Sequence, residues 1–204
     1  MKAIRIIALT LALTFIPIAT LAGDGGRRIH YGIEWGLNDA LLSGMHSTFL
    51  ASEGYVVDSK SLDFSSHVNA HVLGFVEVGV ARRFSLAAYS GYIGLKKGER
   101  VAPVTIRGTY ALSRTGIRKA GAVFAEGGCG FRKGADISVV TRTGYAYRYR
   151  LADFLALDFN AGMLVTFSHP DVYDKYSGRY VPEKDLGVTR SLNLGLIFAV
   201  GLVF

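Results

Sequence analysis

The stretch VTRSLNLGLIFAVGLVF, Val188 to Phe204, decides the fold. Taken two residues at a time, Val188, Leu192, Leu194, Leu196, Phe198, Val200, Leu202 and Phe204 share one face, with Arg190 as its one charge. The other face carries Thr189, Ser191, Asn193, Gly195, Ile197, Ala199, Gly201 and Val203, small or polar over its first half. Side chains alternate across a strand, so this is one long strand with an apolar side and a modest side. Its apolar row exceeds the five or six residues of an ordinary strand. It suits a strand tilted across a bilayer, where about 9–11 residues span the hydrocarbon.

The N-terminal segment 1–22 reads differently. Lys2 and Arg5 precede the apolar run Ile6 to Ala19, and Thr20-Leu21-Ala22 offers small residues for cleavage before Gly23. That is the pattern of a secretory signal peptide, which leaves 23–204 as a single domain of about 180 residues. Lys and Arg number 23 against 16 Asp and Glu. An exported chain with such a surplus is expected to face lipid phosphates or solvent rather than nucleic acid. Cys129 is the only cysteine, so no internal disulfide holds the domain.

Seven further segments alternate or pair around turns. Ile29 to Leu37 sets Ile29, Tyr31, Ile33, Trp35 and Leu37 against His30, Gly32, Glu34 and Gly36. Asn38 to Ser66 is long, polar and weakly periodic, and its apolar patches at Phe49-Leu50 and Tyr55 to Val57 lead to the expectation of a loop with some order of its own. Val68 to Val80, Phe84 to Leu95, Pro103 to Leu112, Ala120 to Arg132, Ile137 to Arg150 and Leu155 to Phe167 follow, with Arg82-Arg83 as a tight turn. The facing of Phe84 to Leu95 stays open, because both parities mix aromatics with small residues. His169 to Gly187 is a second long connection. Short and long connections alternate, as in outer-membrane barrels with short periplasmic turns and longer external loops. The expected fold is all-β: an eight-stranded antiparallel up-and-down transmembrane β-barrel.

The polar row is rich in charge. Glu34, Glu77, Glu126 and Asp158 stand against Arg107, Arg142 and Arg148. A small barrel is just wide enough inside for side chains to fill, and buried charges persist only when paired. These seven are therefore expected to form a lumen network. Tyr145, Tyr147, Tyr149 and Phe204 fall near one end of the apolar rows, and Phe131 and Phe167 near the other, as two aromatic girdles.

The chain resembles the small eight-stranded bacterial outer-membrane barrels over essentially all of 23–204. The most specific feature is its ending. Phe198, Val200, Leu202 and Phe204 are similar to the signal that those families present to the barrel-assembly machinery, with Ala199 where Gly is common. The segments SEGYVVD, from Ser52, and YSGYIG, from Tyr89, are similar to a group of outer-membrane proteins, and that likeness brings no activity with it.

Chemistry is sparse. Ser168, His169 and Asp171 cluster, but adjacent residues on a strand point to opposite sides. His67 and His71 are separated by about 13 Å of strand, too far for one metal at ligand lengths of about 2 Å. Cys129 falls on the outward row. No cofactor, metal or catalytic set is expected. The expected function is a non-enzymatic outer-membrane barrel whose surface loops bind or stabilise the envelope; the alternative is a lipid A-modifying outer-membrane enzyme. Expected partners are outer-membrane lipid and lipopolysaccharide, the barrel-assembly machinery, and a surface saccharide or protein at Tyr55, Tyr173, Tyr176 and Tyr180.

Overall fold

The structure is a computed structural model that describes residues 29–51, 54–95, 100–112, 119–132, 137–174 and 177–204. The segment 1–22 and the expected start at Gly23 lie outside the described residues. Eight long strands close into a barrel: β1 (Ile29–Leu50), β2 (Val56–Ala81), β3 (Phe84–Gly94), β4 (Arg100–Ala111), β5 (Lys119–Phe131), β6 (Ser138–Ala152), β7 (Leu155–Ser168) and β10 (Leu186–Val203). Between the last two, β8 (Tyr173–Asp174) and β9 (Arg179–Tyr180) form a small hairpin, followed by a 3-10 turn at Glu183–Asp185. The strand order is β1-β10-β7-β6-β5-β4-β3-β2, every pairing is antiparallel, and β1 meets both β2 and β10. Closure leaves the wall without a free edge, so its backbone groups are satisfied around the ring.

The seam between first and last strands is tied at its end by Phe204. Its N–H donates to Tyr31 O at 2.8 Å and its carbonyl accepts from Tyr31 N–H at 3.1 Å, with the two rings stacked at 5.8 Å. The final stretch lies as its alternation requires. Ile197, Ala199 and Val203 are buried inside, whereas Leu192, Phe198 and Phe204 are exposed outside.

One expectation is corrected. Asn38 to Ser66 is mostly strand: β1 runs to Leu50 and β2 starts at Val56, turning at Gly54 with φ of 86°. Glycine adopts that conformation without the steric cost of a Cβ. The alternation was masked for two reasons. A bulge at Leu41 shifts the register between Ala40 and Leu42, which reverses the parity of β1 beyond it. Past the bulge, polar residues occupy both faces, so no apolar period of two survives. The β2–β3 ladder begins only at His71, paired with Ile93. A three-stranded arm of β2, β1 and β10 therefore stands out beyond the other strands, ending where Phe49 pairs with Leu186 and Leu50 with Val56.

The open facing of Phe84 to Leu95 is resolved by the interior. Ala87, Tyr89 and Ile93 are buried, while Phe84, Leu86 and Tyr92 lie outside. Tyr89 stacks on Phe75 at 4.8 Å inside the barrel, so both faces of β3 carry an aromatic. The lumen is filled rather than hollow. Leu73, Phe75, Ile93, Val101, Phe124, Val140, Leu164 and Ile197 form an apolar cluster around the charges. At Gly32 a Cβ would collide with the Phe75 ring, so glycine there makes room for the filling.

Candidate functional site

The seven charges singled out from the sequence come together in two groups. The larger lies at mid-barrel. Glu34 on β1, Arg107 on β4, Glu126 on β5 and Arg142 on β6 are all buried, and Arg142 is 1% exposed. Arg142 Nη1 donates to Glu34 Oε1 at 2.6 Å, and its Nη2 donates to Glu126 Oε2 at 2.6 Å. Arg107 donates from Nε to Glu126 Oε2 at 2.8 Å and from Nη1 to Glu34 Oε2 at 3.0 Å. Two carboxylates thus bridge two guanidiniums, and the formal charge of the group is zero.

The remaining lone pairs are used as well. Thr105 Oγ1 donates to Glu126 Oε1 at 2.5 Å, and Asn160 Nδ2 donates to Glu34 Oε2 at 2.9 Å. His71 Nε2 stands 3.5 Å from Glu34 Oε1. The Arg107 guanidinium lies 4.1 Å from the Tyr89 ring centre and 4.3 Å from that of Phe124. A cation held against two aromatic faces gains on both. These contacts compensate the loss of hydration that makes an isolated buried charge so costly.

The smaller group sits toward the end with the short turns. Arg148 donates to Asp158 Oδ1 and Oδ2, and to Glu77 Oε2, at 2.7 Å in each case. Ser85 Oγ donates to Glu77 Oε1 at 2.6 Å. The Arg148 side chain is 32% exposed, so this group is partly wet. Neither group presents a hydroxyl beside a free base, and both are consumed by pairing. Chemically they brace the ring across its lumen.

The candidate catalytic cluster is dispersed. Ser168 is buried inside, its hydroxyl without a hydrogen-bond partner. His169 sets its ring edge-on to the outward Phe167 at 5.3 Å. Asp171 pairs instead with Arg132, at 3.1 Å. His67 is also apart from His71, bonding locally to Ser65 through Nδ1. Among the described residues no group of three His, Cys, Asp or Glu is placed to hold a metal. Cys129 is exposed on the outer wall.

The aromatic loop residues are placed in part. Tyr55 is exposed at the end of the arm. Tyr173 and Tyr180 face each other across the β8–β9 hairpin, their rings T-shaped at 5.4 Å, and both are exposed. Tyr176 lies outside the described residues. What sequence reading missed is the arm itself, whose outer side carries a His46–Asp58 pair at 2.8 Å.

No family model matches the chain, and no curated protein matches it. Among solved structures it is similar to Neisserial surface protein A, with 10% identity over 88% of this chain and 99% of that one, at a TM-score of 0.43. It is also similar to the outer membrane protease OmpT from Escherichia coli, with 13% identity over 86% of this chain and 96% of that one, at a TM-score of 0.34. The secretin β-barrel of InvG from Salmonella gives 11% identity over 94% of this chain and 66% of that one, at 0.27. At these scores the likenesses add nothing to the strand order, on which the fold rests.

Proposed function

We propose that this chain is a non-enzymatic outer-membrane barrel protein that holds its β1–β2 arm and its Tyr-rich β7–β10 connection outside the cell, to bind a partner or stabilise the envelope. The observation that carries the reading is the inverted polarity of the wall. Ion pairs are buried inside, while Ile33, Val72, Ile106, Val139, Met163 and Phe198 are exposed outside on six different strands. Soluble monomers rarely expose apolar patches beyond a few hundred Å², and only helices or closed barrels satisfy every backbone group in lipid.

The arm and the connection leave from neighbouring strands, β1 and β10, so they rise on the same side. Tyr55, Tyr173 and Tyr180, together with Arg179, give that side aromatic and basic groups suited to a saccharide, a lipopolysaccharide headgroup or a protein edge. Phe198, Val200, Leu202 and Phe204 would be the element that the barrel-assembly machinery meets. The dispersal of Ser168, His169 and Asp171 supports a binding role over a catalytic one.

Cell fractionation and surface proteolysis test this reading. The protein should sediment with outer membranes and migrate anomalously in detergent gels unless heated. Protease added to intact cells should cut at the end of the arm, near residues 51–55, and leave a protected barrel. Recovery as a soluble periplasmic protein, or cutting at the arm only from the periplasmic side, would overturn it.

A further inference from the structure

The outer wall carries a line of basic side chains just where its apolar belt stops. The top of the belt is a register row of Phe167, Leu192, Gly44 and Leu62, across β7, β10, β1 and β2. Leu192 and Leu62 are 52% and 66% exposed, so this row faces whatever surrounds the barrel. Two residues further along each strand, on the same face, the row becomes His169, Arg190, His46 and Lys60. Arg190 pairs with His46 and His46 with Lys60. Ser168 pairs with Ser191, which brings His169 beside Arg190. Four strands at about 4.8 Å each set this basic row across roughly 15 Å.

Its charges are not spent on the protein. Among the described residues neither Arg190 nor Lys60 has a hydrogen-bond or ion-pair partner. The acid that faces the row is Asp58, which holds His46 Nε2 at 2.8 Å; Asp171, near His169, is occupied by Arg132. Counting Asp58, the row keeps a positive surplus from Arg190 and Lys60 even with both histidines neutral. Long basic side chains at a lipid boundary lay their stems on apolar surface and hold their heads at the polar level.

We infer that His169, Arg190, His46 and Lys60 form a binding site for the phosphate of a net anionic membrane lipid whose acyl chains lie against Phe167, Leu192, Leu62 and Phe64. The guanidinium of Arg190 supplies a planar fork for the phosphate oxygens and Lys60 a point charge. His169 flanks Arg190, and His46, held by Asp58, lies between the two cations. The inference rests on the outer-membrane reading for its ligand, but not for its test.

The test uses the purified barrel, folded in neutral detergent, with equimolar dipalmitoyl phosphatidic acid and dipalmitoyl phosphatidylcholine, and native mass spectrometry as the readout. The wild type should retain phosphatidic acid over phosphatidylcholine by about 30-fold: the choline cation cancels the phosphate charge of the second lipid, and each basic group near a net anionic lipid is worth about a factor of five. R190Q/K60Q should bring the two lipids to parity, whereas R82Q/R83Q, at the opposite end, should keep the preference. If the double variant does not fold, K60Q alone, at the open edge of β2, should reduce the preference several-fold. Inorganic phosphate at the same concentration should not displace the lipid; displacement would make this a free-anion site and overturn the lipid assignment. Equal retention of both lipids by the wild type would overturn the site altogether. Because the measurement is made in detergent, it stands apart from the fractionation result.

Discussion

Arg142 and Glu34 are joined by a 2.6 Å hydrogen bond although they stand 108 positions apart in the chain. One belongs to the sixth strand and the other to the first, so the bond crosses the lumen instead of following the wall. Backbone ladders connect each strand only to its neighbours. The Glu34, Arg107, Glu126 and Arg142 group connects four strands at once, and makes correct closure a condition for pairing every charge.

Removing Glu126 should therefore be costly. In E126L, Arg107 and Arg142 each lose a carboxylate while remaining in the filled interior. Breaking a buried pair from one side costs roughly 3–5 kcal/mol. A denaturant or thermal melt of the purified barrel should register a loss of that order, with E126Q losing less because the amide still accepts hydrogen bonds. A melt of E126L that matches the wild type would mean the interior is wet enough to screen the guanidiniums.

Deleting Phe204 should impair assembly far more than changing Tyr180 to Ser. Phe204 closes the seam through two backbone bonds and a ring stack with Tyr31, and ends the apolar row. Tyr180 sits in the β8–β9 hairpin outside the ring. The yield of heat-modifiable barrel in outer membranes measures the difference, and equal yields would refute the assembly role.

Cys129 offers a reporter for the belt. It is exposed on the outer wall, two residues from the outward Phe131. In native membranes a lipid-soluble maleimide should label it and a charged, impermeant one should not. After unfolding by heat in dodecyl sulfate both should react. Prompt labelling of intact membranes by the charged reagent would put this part of the wall in water.

The alternation of Val188 to Phe204 was enough to find the final strand and its facing, because one side stays apolar from Leu192 to Phe204. The same holds for Glu34, Arg107, Glu126 and Arg142, since a charge in mid-strand opposite apolar neighbours has only the interior to go to. Tyr89 escaped assignment because an interior that is partly apolar accepts an aromatic as readily as the exterior does. Residues Asn38 to Ser66 escaped because polar and apolar residues share both faces beyond Leu41, which removes the contrast on which periodicity depends. Leu41 compounded this, as one extra residue inverts every facing beyond it. The basic row was invisible for a further reason: His169, Arg190, His46 and Lys60 come from distant parts of the chain and meet only through register.

The arm is built from the same continuous strands that line the lumen, and that changes what an encounter at its end requires. A flexible loop of similar length gives up about 1–2 kcal/mol of backbone entropy for each residue that a partner fixes. Hydrogen-bonded strands have already surrendered that freedom during folding, so a partner that docked on the strands of the arm would find them preorganised. Selectivity on such a surface would be set by shape rather than by the ability of a loop to mould itself.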